Sequence, residues 1–296
     1  MTMSEQNGDE RTAVSVIGLG RLGARLAQAF LNAGHGTTVW NRTGSKADAL
    51  VAQGAVRAAD VRAAVAASPL VVLCLPDYAT GAELLGPVAD GLGGRVLVNL
   101  TSGTPEDAVR TADWAREHGA GYLDGAAMSG TRLVGRPEAL FVFSGSQEAF
   151  AAHRGTLSSL GDARHLGEDP ALAPVYDTAL FGMVWGALAG FHHSLALAGA
   201  AGVAPTAFAA VAVGHMPFII SLLAEHARQI EDDRFPDDDG TVDVHRAAMG
   251  HLLDTSRAQG VGTELPELLR TLLERTAAEG HGASGIASVA KAIARG

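Results

Sequence analysis

A single cysteine, Cys74, stands among 296 residues. This excludes a disulfide framework and a cysteine-rich zinc site, leaves no expected metal, and suits a reducing, cytoplasmic compartment. Lysine is almost as scarce, with only Lys46 and Lys291, so basic chemistry elsewhere rests on arginine and histidine. Aromatic residues make up 5% of the chain while glycine alone supplies 37 positions, which points to an interior of closely approaching helices. The net charge of −10 argues against the basic face that a nucleic-acid partner requires. Residues 1–11 (MTMSEQNGDER) lack the apolar stretch of a signal peptide and read as a disordered lead-in. Two apolar runs, 178–191 and 194–214, are the only membrane candidates. The first is too short to span a bilayer, His192 and His193 separate the two, and Pro205 lies in the second. Burial in a protein interface is the expectation for both, with no membrane.

What is present suffices for a large core. Apolar residues reach 47% against 18% charged, far from a disordered composition, and the length suggests two domains at about 150 residues each. The first half alternates. Residues 13–17, 37–40, 70–75, 95–100, 122–124 and 139–143 read as strands, and 21–32, 46–53 and 105–118 as helices. Gly34 is placed to end the first helix in a left-handed conformation, and Pro105 to begin the third. The continuous apolar run LVVLCL suits a parallel strand covered on both faces. Alternation of this kind predicts a doubly wound parallel sheet over residues 12–166. From residue 167 the strand signal ends, and 171–201, 206–230, 244–259, 265–279 and 286–294 read as helices. The acidic stretch 231–243 lacks the register and closing glutamate of a calcium loop and reads as solvated surface.

The motif Ile17-Gly18-Leu19-Gly20-Arg21-Leu22-Gly23 lies between the first strand and a helix, the context a dinucleotide fingerprint requires. Gly18 permits the tight turn, Gly20 lets a pyrophosphate approach the helix N-terminus, and Gly23 lets helix and sheet pack closely. A ligand-free strand–helix turn is the alternative. At the end of the second strand an NAD site places a carboxylate for the ribose 2′-hydroxyl. Here the residues are Asn41-Arg42-Thr43, followed by Lys46, and arginine offers a planar, permanently charged fork for a 2′-phosphate. The expected cofactor is therefore NADPH, unless Arg42 is merely a surface arginine. Leu75, Pro76, Asn99, Thr101 and Ser102, at the ends of the next two strands, complete the expected cofactor contacts.

VIGLGRLG with VWNRT resembles the β-hydroxyacid dehydrogenase superfamily, and the remainder is similar to its imine reductase and reductive aminase branch. VNLTSGTP at 98–105, VYDTALFGMVWGALAGFHHSLAL at 175–197 and AAEGHG at 277–282 carry that likeness. The resemblance implies an α/β Rossmann domain, a long interdomain helix, and an all-α C-terminal domain that intertwines with its twin in a homodimer, with active sites between one subunit's Rossmann domain and the other's helices. It implies reduction of imines, or of a carbonyl plus an amine. The hydroxyacid enzymes place a lysine early in the long helix with an asparagine one turn later. This chain has Asp177 at the lysine position and apolar Leu180 or Phe181 at the asparagine position. Ser129 and Gly130, in Asp124-Gly125-Ala126-Ala127-Met128-Ser129-Gly130, keep the superfamily's carboxylate-holding pattern.

A carboxylate suits hydride attack on C=N, which is easier when nitrogen carries a proton. Asp177 can deliver that proton or stabilise the iminium by charge; read without the resemblance, it is a helix-start carboxylate favoured by the dipole. Trp185, two turns on, replaces a tyrosine typical of reductive aminases, and Ser102 replaces the second asparagine of NLTNGTP. Both favour plain imine reduction. Met216, Phe218 and His245 are candidates for the pocket alongside Ser129 and Trp185, although Met and aromatics at helical spacing also build cores. His192 and His193 are expected to be structural. The competing functions are a 3-hydroxyacid-type dehydrogenase, which lacks its lysine here, and a non-catalytic NADP-binding protein.

Overall fold

The computed structural model describes residues 11–294, so all but the last residue of the expected lead-in lies outside the described residues. The chain alternates through β1 (Val14–Ile17), α1 (Arg21–Asn32), β2 (Thr37–Trp40), α2 (Asp48–Val51), β3 (Val56–Arg57), α3 (Val61–Ala66), β4 (Leu70–Leu73) and α4 (Tyr78–Leu85). It continues through β5 (Val96–Asn99), α5 (Pro105–Glu117), β6 (Gly121–Ala127), β7 (Leu140–Gly145), α6 (Gln147–Ser158) and β8 (Asp162–His165). Helices follow: α7 (Leu172–Ala200), α8 (Pro205–Glu231), α9 (Val242–Ala258), α10 (Glu264–Thr276) and α11 (Val289–Ala294).

The eight strands form one sheet in the order β3-β2-β1-β4-β5-β6-β7-β8. Every β1 and β4 residue is buried, as expected of parallel strands covered on both faces. The expected all-parallel sheet needs one correction, because β6 and β7 run antiparallel. The connection between them holds only a single 3-10 turn, Thr131–Leu133. Gly135 at φ 85° and Pro137 leave no room for the helix that a parallel crossover needs. The helix expected over 46–53 is a 3-10 turn, Gly44–Ala47, followed by the one-turn α2.

Local sequence explains the ends of the helices. α1 buries Gly23, Leu26, Ala27, Ala29 and Phe30 on one face, the spacing of an amphipathic helix, and Gly34 beyond it sits at φ 82°. Asp60, Asp77 and Ser146 accept backbone N–H bonds at the starts of α3, α4 and α6. Thr104 and Asp107 form a reciprocal capping box around Pro105 at α5. One apolar layer, with Leu26, Phe30, Phe141 and Phe143, covers one face of the sheet, and a second, with Leu73, Leu85, Leu97 and Tyr122, covers the other.

Internal contacts divide the chain within α7, into a unit ending at Gly182 and a unit beginning at Met183. In the second unit α9 and α10 pack on each other and α10 packs on α11, burying Val242, Leu253, Leu273 and Ala292. α8 behaves differently. Val211, Phe218, Ile220 and Leu223 on it are exposed, as are Met183 and Trp185 on α7. Both helices are long and apolar enough to cross a membrane by length and composition alone.

Candidate functional site

The order of strands reverses between β1 and β4, and such a switch point opens a crevice at the carboxyl ends of the strands. Gly18 forms the turn after β1. Its N–H donates to the Trp40 carbonyl at 2.9 Å, its φ is 100°, and a Cβ there would lie 2.2 Å from the Cys74 carbonyl oxygen. A Cβ on Gly23 would lie 1.9 Å from the Gly18 carbonyl oxygen. These two glycines are thus required by the protein's own packing. Gly20 differs, because a Cβ there would meet no protein atom within 4 Å. The space above it is open at the start of α1, where free N–H groups and the helix dipole favour an anion.

A cavity of about 530 Å³ occupies this crevice. Gly18, Gly20, Arg21, Leu22, Asn41, Arg42, Thr43, Lys46, Leu75, Pro76 and Ser102 line it, so the structure brings most of the expected cofactor residues together. Arg42 and Lys46 are exposed at its rim. Asn41 organises the turn: its Oδ1 accepts from the Leu19 N–H at 2.9 Å, and its Nδ2 donates to the Thr43 carbonyl at 3.0 Å. Leu19 itself is buried and supplies that N–H rather than a wall. The donor set, an open glycine at a helix N-terminus with two cations at the β2 end, fits a dinucleotide carrying a 2′-phosphate. Cys74 also lines the cavity, where burial pushes its thiol up to about 11 and keeps it protonated.

Asn99 and Thr101 are turned differently from expectation. Both are 3% exposed, and they line a neighbouring cavity of about 290 Å³, together with Leu73, Tyr78 and Trp114, instead of the nucleotide cavity. Asn99 Oδ1 accepts from the Thr101 N–H at 3.2 Å, and Thr101 Oγ1 accepts from the Leu75 N–H at 3.1 Å. The Asn99 amide faces Asp124, its register partner on β6.

Asp124 is the centre of a cluster that the sequence reading did not identify. Its Oδ2 accepts from the Tyr78 and Tyr122 hydroxyls, both at 2.6 Å, and from Asn99 Nδ2 at 3.4 Å. Burial pushes the Asp124 carboxyl up to about 6; the Tyr122, Tyr78 and Asn99 hydrogen bonds oppose the shift, and the charge of Asp177 adds to it. Burial and the adjacent Asp124 charge likewise raise both tyrosine hydroxyls far above their ordinary value. The signal in the sequence was an aspartate at the heart of an apolar strand, Tyr122-Leu123-Asp124, opposite the only asparagine of β5.

Asp177 lies in the second turn of α7 and is half-buried. Ser129 Oγ accepts from the Leu140 N–H at 3.0 Å, which anchors the β6–β7 connection and leaves the hydroxyl proton to be donated. Trp185, Met216 and Phe218 are exposed in the helical unit. His245 Nε2 lies 2.9 Å from the Asp239 carbonyl oxygen. His193 Nε2 lies 3.3 Å from Ser256 Oγ. Among the described residues no group of three or more His, Cys, Asp or Glu is placed to hold a metal ion.

Comparison with known proteins follows the two halves of the fold. The family model for the NAD binding domain of 6-phosphogluconate dehydrogenase matches residues 13–167, and that for the NADPH-dependent reductive aminase-like C-terminal domain matches residues 169–295. An NADPH-dependent reductive aminase of Aspergillus oryzae is 31% identical over 284 residues, 93% of this chain and 95% of that protein. The structure of a reductive aminase from Aspergillus terreus in complex with NADPH4, cyclohexanone and allyl amine aligns with a TM-score of 0.88 at 37% identity, covering 95% of this chain and 99% of that one. An imine reductase from Bacillus cereus aligns with a TM-score of 0.86 at 35% identity, covering 97% and 100%. With its Rossmann-type sheet followed by a helical domain of the matching kind, the chain belongs to the imine reductase and reductive aminase family.

Proposed function

We propose that the chain reduces cyclic imines to amines, with Asp177 serving the substrate nitrogen. It is an NADPH-dependent oxidoreductase of its family. The observation that carries the imine reading is the absence of lysine anywhere between Lys46 and Lys291, with Asp177 at the start of α7 instead. A hydroxyacid mechanism needs a basic nitrogen there. An iminium needs the opposite, an acid or a negative charge.

NADPH supplies hydride to the imine carbon when bound. Gly20 and the start of α1 receive the pyrophosphate, and Arg42 and Lys46 neutralise the 2′-phosphate, with Asn41 and Thr43 shaping the turn between them. Asp177 donates a proton to the imine nitrogen or holds the cationic nitrogen by charge. Ser129 in the first unit and Trp185, Met216, Phe218 and His245 in the second are the candidate substrate contacts. Trp185 has an indole N–H and no ionisable hydroxyl, which favours preformed imines over joining of a free carbonyl and amine. The nucleotide-binding domain covers 12–166, and the helices from 167 form the dimerisation and substrate domain.

A second copy of the chain covers α7 and α8. Exposed apolar side chains in this number on two neighbouring helices of the sequence suit an interface. We expect an obligate dimer burying over ~2,000 Å². A stable, active monomer in sedimentation at micromolar concentration would contradict it.

Asp177→Asn tests the chemistry. General acid catalysis contributes roughly 10²–10⁴-fold, so kcat on a neutral cyclic imine should fall within that range while the Kd of NADPH stays constant. A permanently charged N-alkyl iminium needs no proton. If the variant keeps much of its activity on that substrate, Asp177 acts as an acid; if both substrates suffer alike, it acts by charge. Wild-type rates on both would remove Asp177 from the mechanism.

A further inference from the structure

The Asp124 cluster has no part in the scheme above, yet it lies at the junction of the two loops that wall the nucleotide cavity. Asp124 is 1% exposed. Its Oδ2 holds Tyr78, the first residue of α4 after the Leu75-Pro76-Asp77 loop. It also holds Asn99, the last residue of β5 before the Leu100–Gly103 loop. From Asn99 the chain of bonds runs through Thr101 back to the Leu75 N–H. The Tyr78 ring closes the same circuit from the other side, since a Cβ on Gly103 would lie 2.3 Å from it. Leu75, Pro76, Leu100 and Ser102 all line the nucleotide cavity. One buried carboxyl oxygen therefore ties both walls together without lining the cavity itself.

We propose that Asp124 is a positioning residue for cofactor binding: through Tyr78 on one loop and Asn99–Thr101 on the other, its carboxylate fixes the spacing of residues 75–78 and 100–103 across the nucleotide cavity. The proposal rests on the NADPH reading of that cavity. Charge is what makes the anchor strong, because hydrogen bonds to an ionised acceptor are shorter and about twice as strong as neutral ones. The groups that face Asp124 are Tyr78 of α4, Tyr122 of β6, Asn99 of β5 and Asp177 of α7, and Asp107 of α5 acts on Tyr78. As pH falls through about 6 the carboxyl takes a proton, the tyrosine hydrogen bonds weaken, and both loops slacken.

The test measures the Kd of NADP⁺, which survives acid, by tryptophan fluorescence on the full chain, since Trp40 lines the cavity. Asp124→Asn keeps size and an acceptor oxygen and removes the charge. Tyr78→Phe keeps the ring against Gly103 and removes one tether. For each, the ratio of variant to wild-type Kd cancels the titration of the cofactor's own phosphate. We expect a ratio of about ten near pH 8, the scale of one charge-assisted hydrogen bond; for Asp124→Asn it narrows towards one at about pH 5, where wild type has lost the same charge, and for Tyr78→Phe it narrows but stays above one, because a weaker neutral hydrogen bond remains in wild type. A merely structural role gives a ratio that does not change with pH, and that result, or a ratio of one throughout, overturns the proposal. Should Asp124→Asn fail to fold, Tyr78→Phe decides by the same criterion. Absence of imine reduction would leave this binding measurement intact, so the two readings fail separately.

Discussion

In the unit ending at Gly182, the polar groups at the carboxyl ends of β4 and β5 and within β6 are paired with one another, and Gly18 and Gly23 of the nucleotide turn leave no room for a methyl group. In the unit from Met183, α8 leaves Val211, Phe218, Ile220 and Leu223 uncovered. The described residues that line the cofactor cavity all belong to the first unit. The second exposes apolar side chains along α7 and α8, the surface proposed above to meet a second copy. The contrast separates what each half of the sequence specifies. Sheet and glycine geometry shape a crevice for a ligand, whereas the helical residues leave apolar surface exposed.

Arg42→Ala should raise the NADPH KM about tenfold or more, the loss of a charge-assisted contact at roughly 1.5–3 kcal/mol, and leave NADH nearly untouched. Equal losses for both cofactors would detach Arg42 from the 2′-phosphate. Gly18 and Gly20 sharpen the distinction between protein packing and ligand packing. Gly18→Ala forces a Cβ into the Cys74 carbonyl and should destabilise the fold by about 1–3 kcal/mol, read as a lower Tm without cofactor. Gly20→Ala meets open space and should leave Tm unchanged while weakening NADPH. If the two behave alike, the open space above Gly20 is not a ligand site.

A third effect concerns pH. The folded state raises the Asp124 carboxyl from its ordinary value near 3.8 to about 6. Between those values the folded chain holds a proton that the unfolded chain has released. Stability from this group is therefore greatest below the unfolded value, falls as pH rises through the window, and levels off above 6. The slope is at most about 1.4 kcal/mol per pH unit for one proton. Asp124→Asn should flatten that part of a denaturation–pH curve; an unchanged slope would place the titration elsewhere.

Much of this was legible because the signals were local. α1 begins and ends where glycine and hydrophobic spacing place it, at Arg21 and Asn32. The runs at 37–40, 70–73 and 96–99 form strands because β-branched and leucine side chains suit burial on both faces. Edge elements were missed for the converse reason. β3 is two residues, both exposed, and β8 (DARH) is mostly polar, so neither has an apolar run. The antiparallel return of β7 follows from a loop that is too broken for a helix, a property of Gly135 and Pro137 that periodicity does not register. The Asp124 cluster depends on register between strands and on a tyrosine 46 residues away, and long-range pairing leaves no trace in spacing. Asn99, expected among the cofactor contacts, hydrogen-bonds to its register partner Asp124, a pairing that sequence spacing does not register.

Turnover of the wild-type chain on two substrate classes separates imine reduction from hydroxy-acid chemistry. NADPH oxidation is followed with a panel of cyclic imines, and NADP⁺ reduction is followed with 3-hydroxy acids. NADPH-dependent reduction of the imines to chiral amines is expected, with no oxidation of hydroxy acids, because no lysine lies between Lys46 and Lys291 to take the hydroxyl proton. Hydroxy-acid oxidation with inert imines, or tight NADPH binding with turnover of neither, would contradict it.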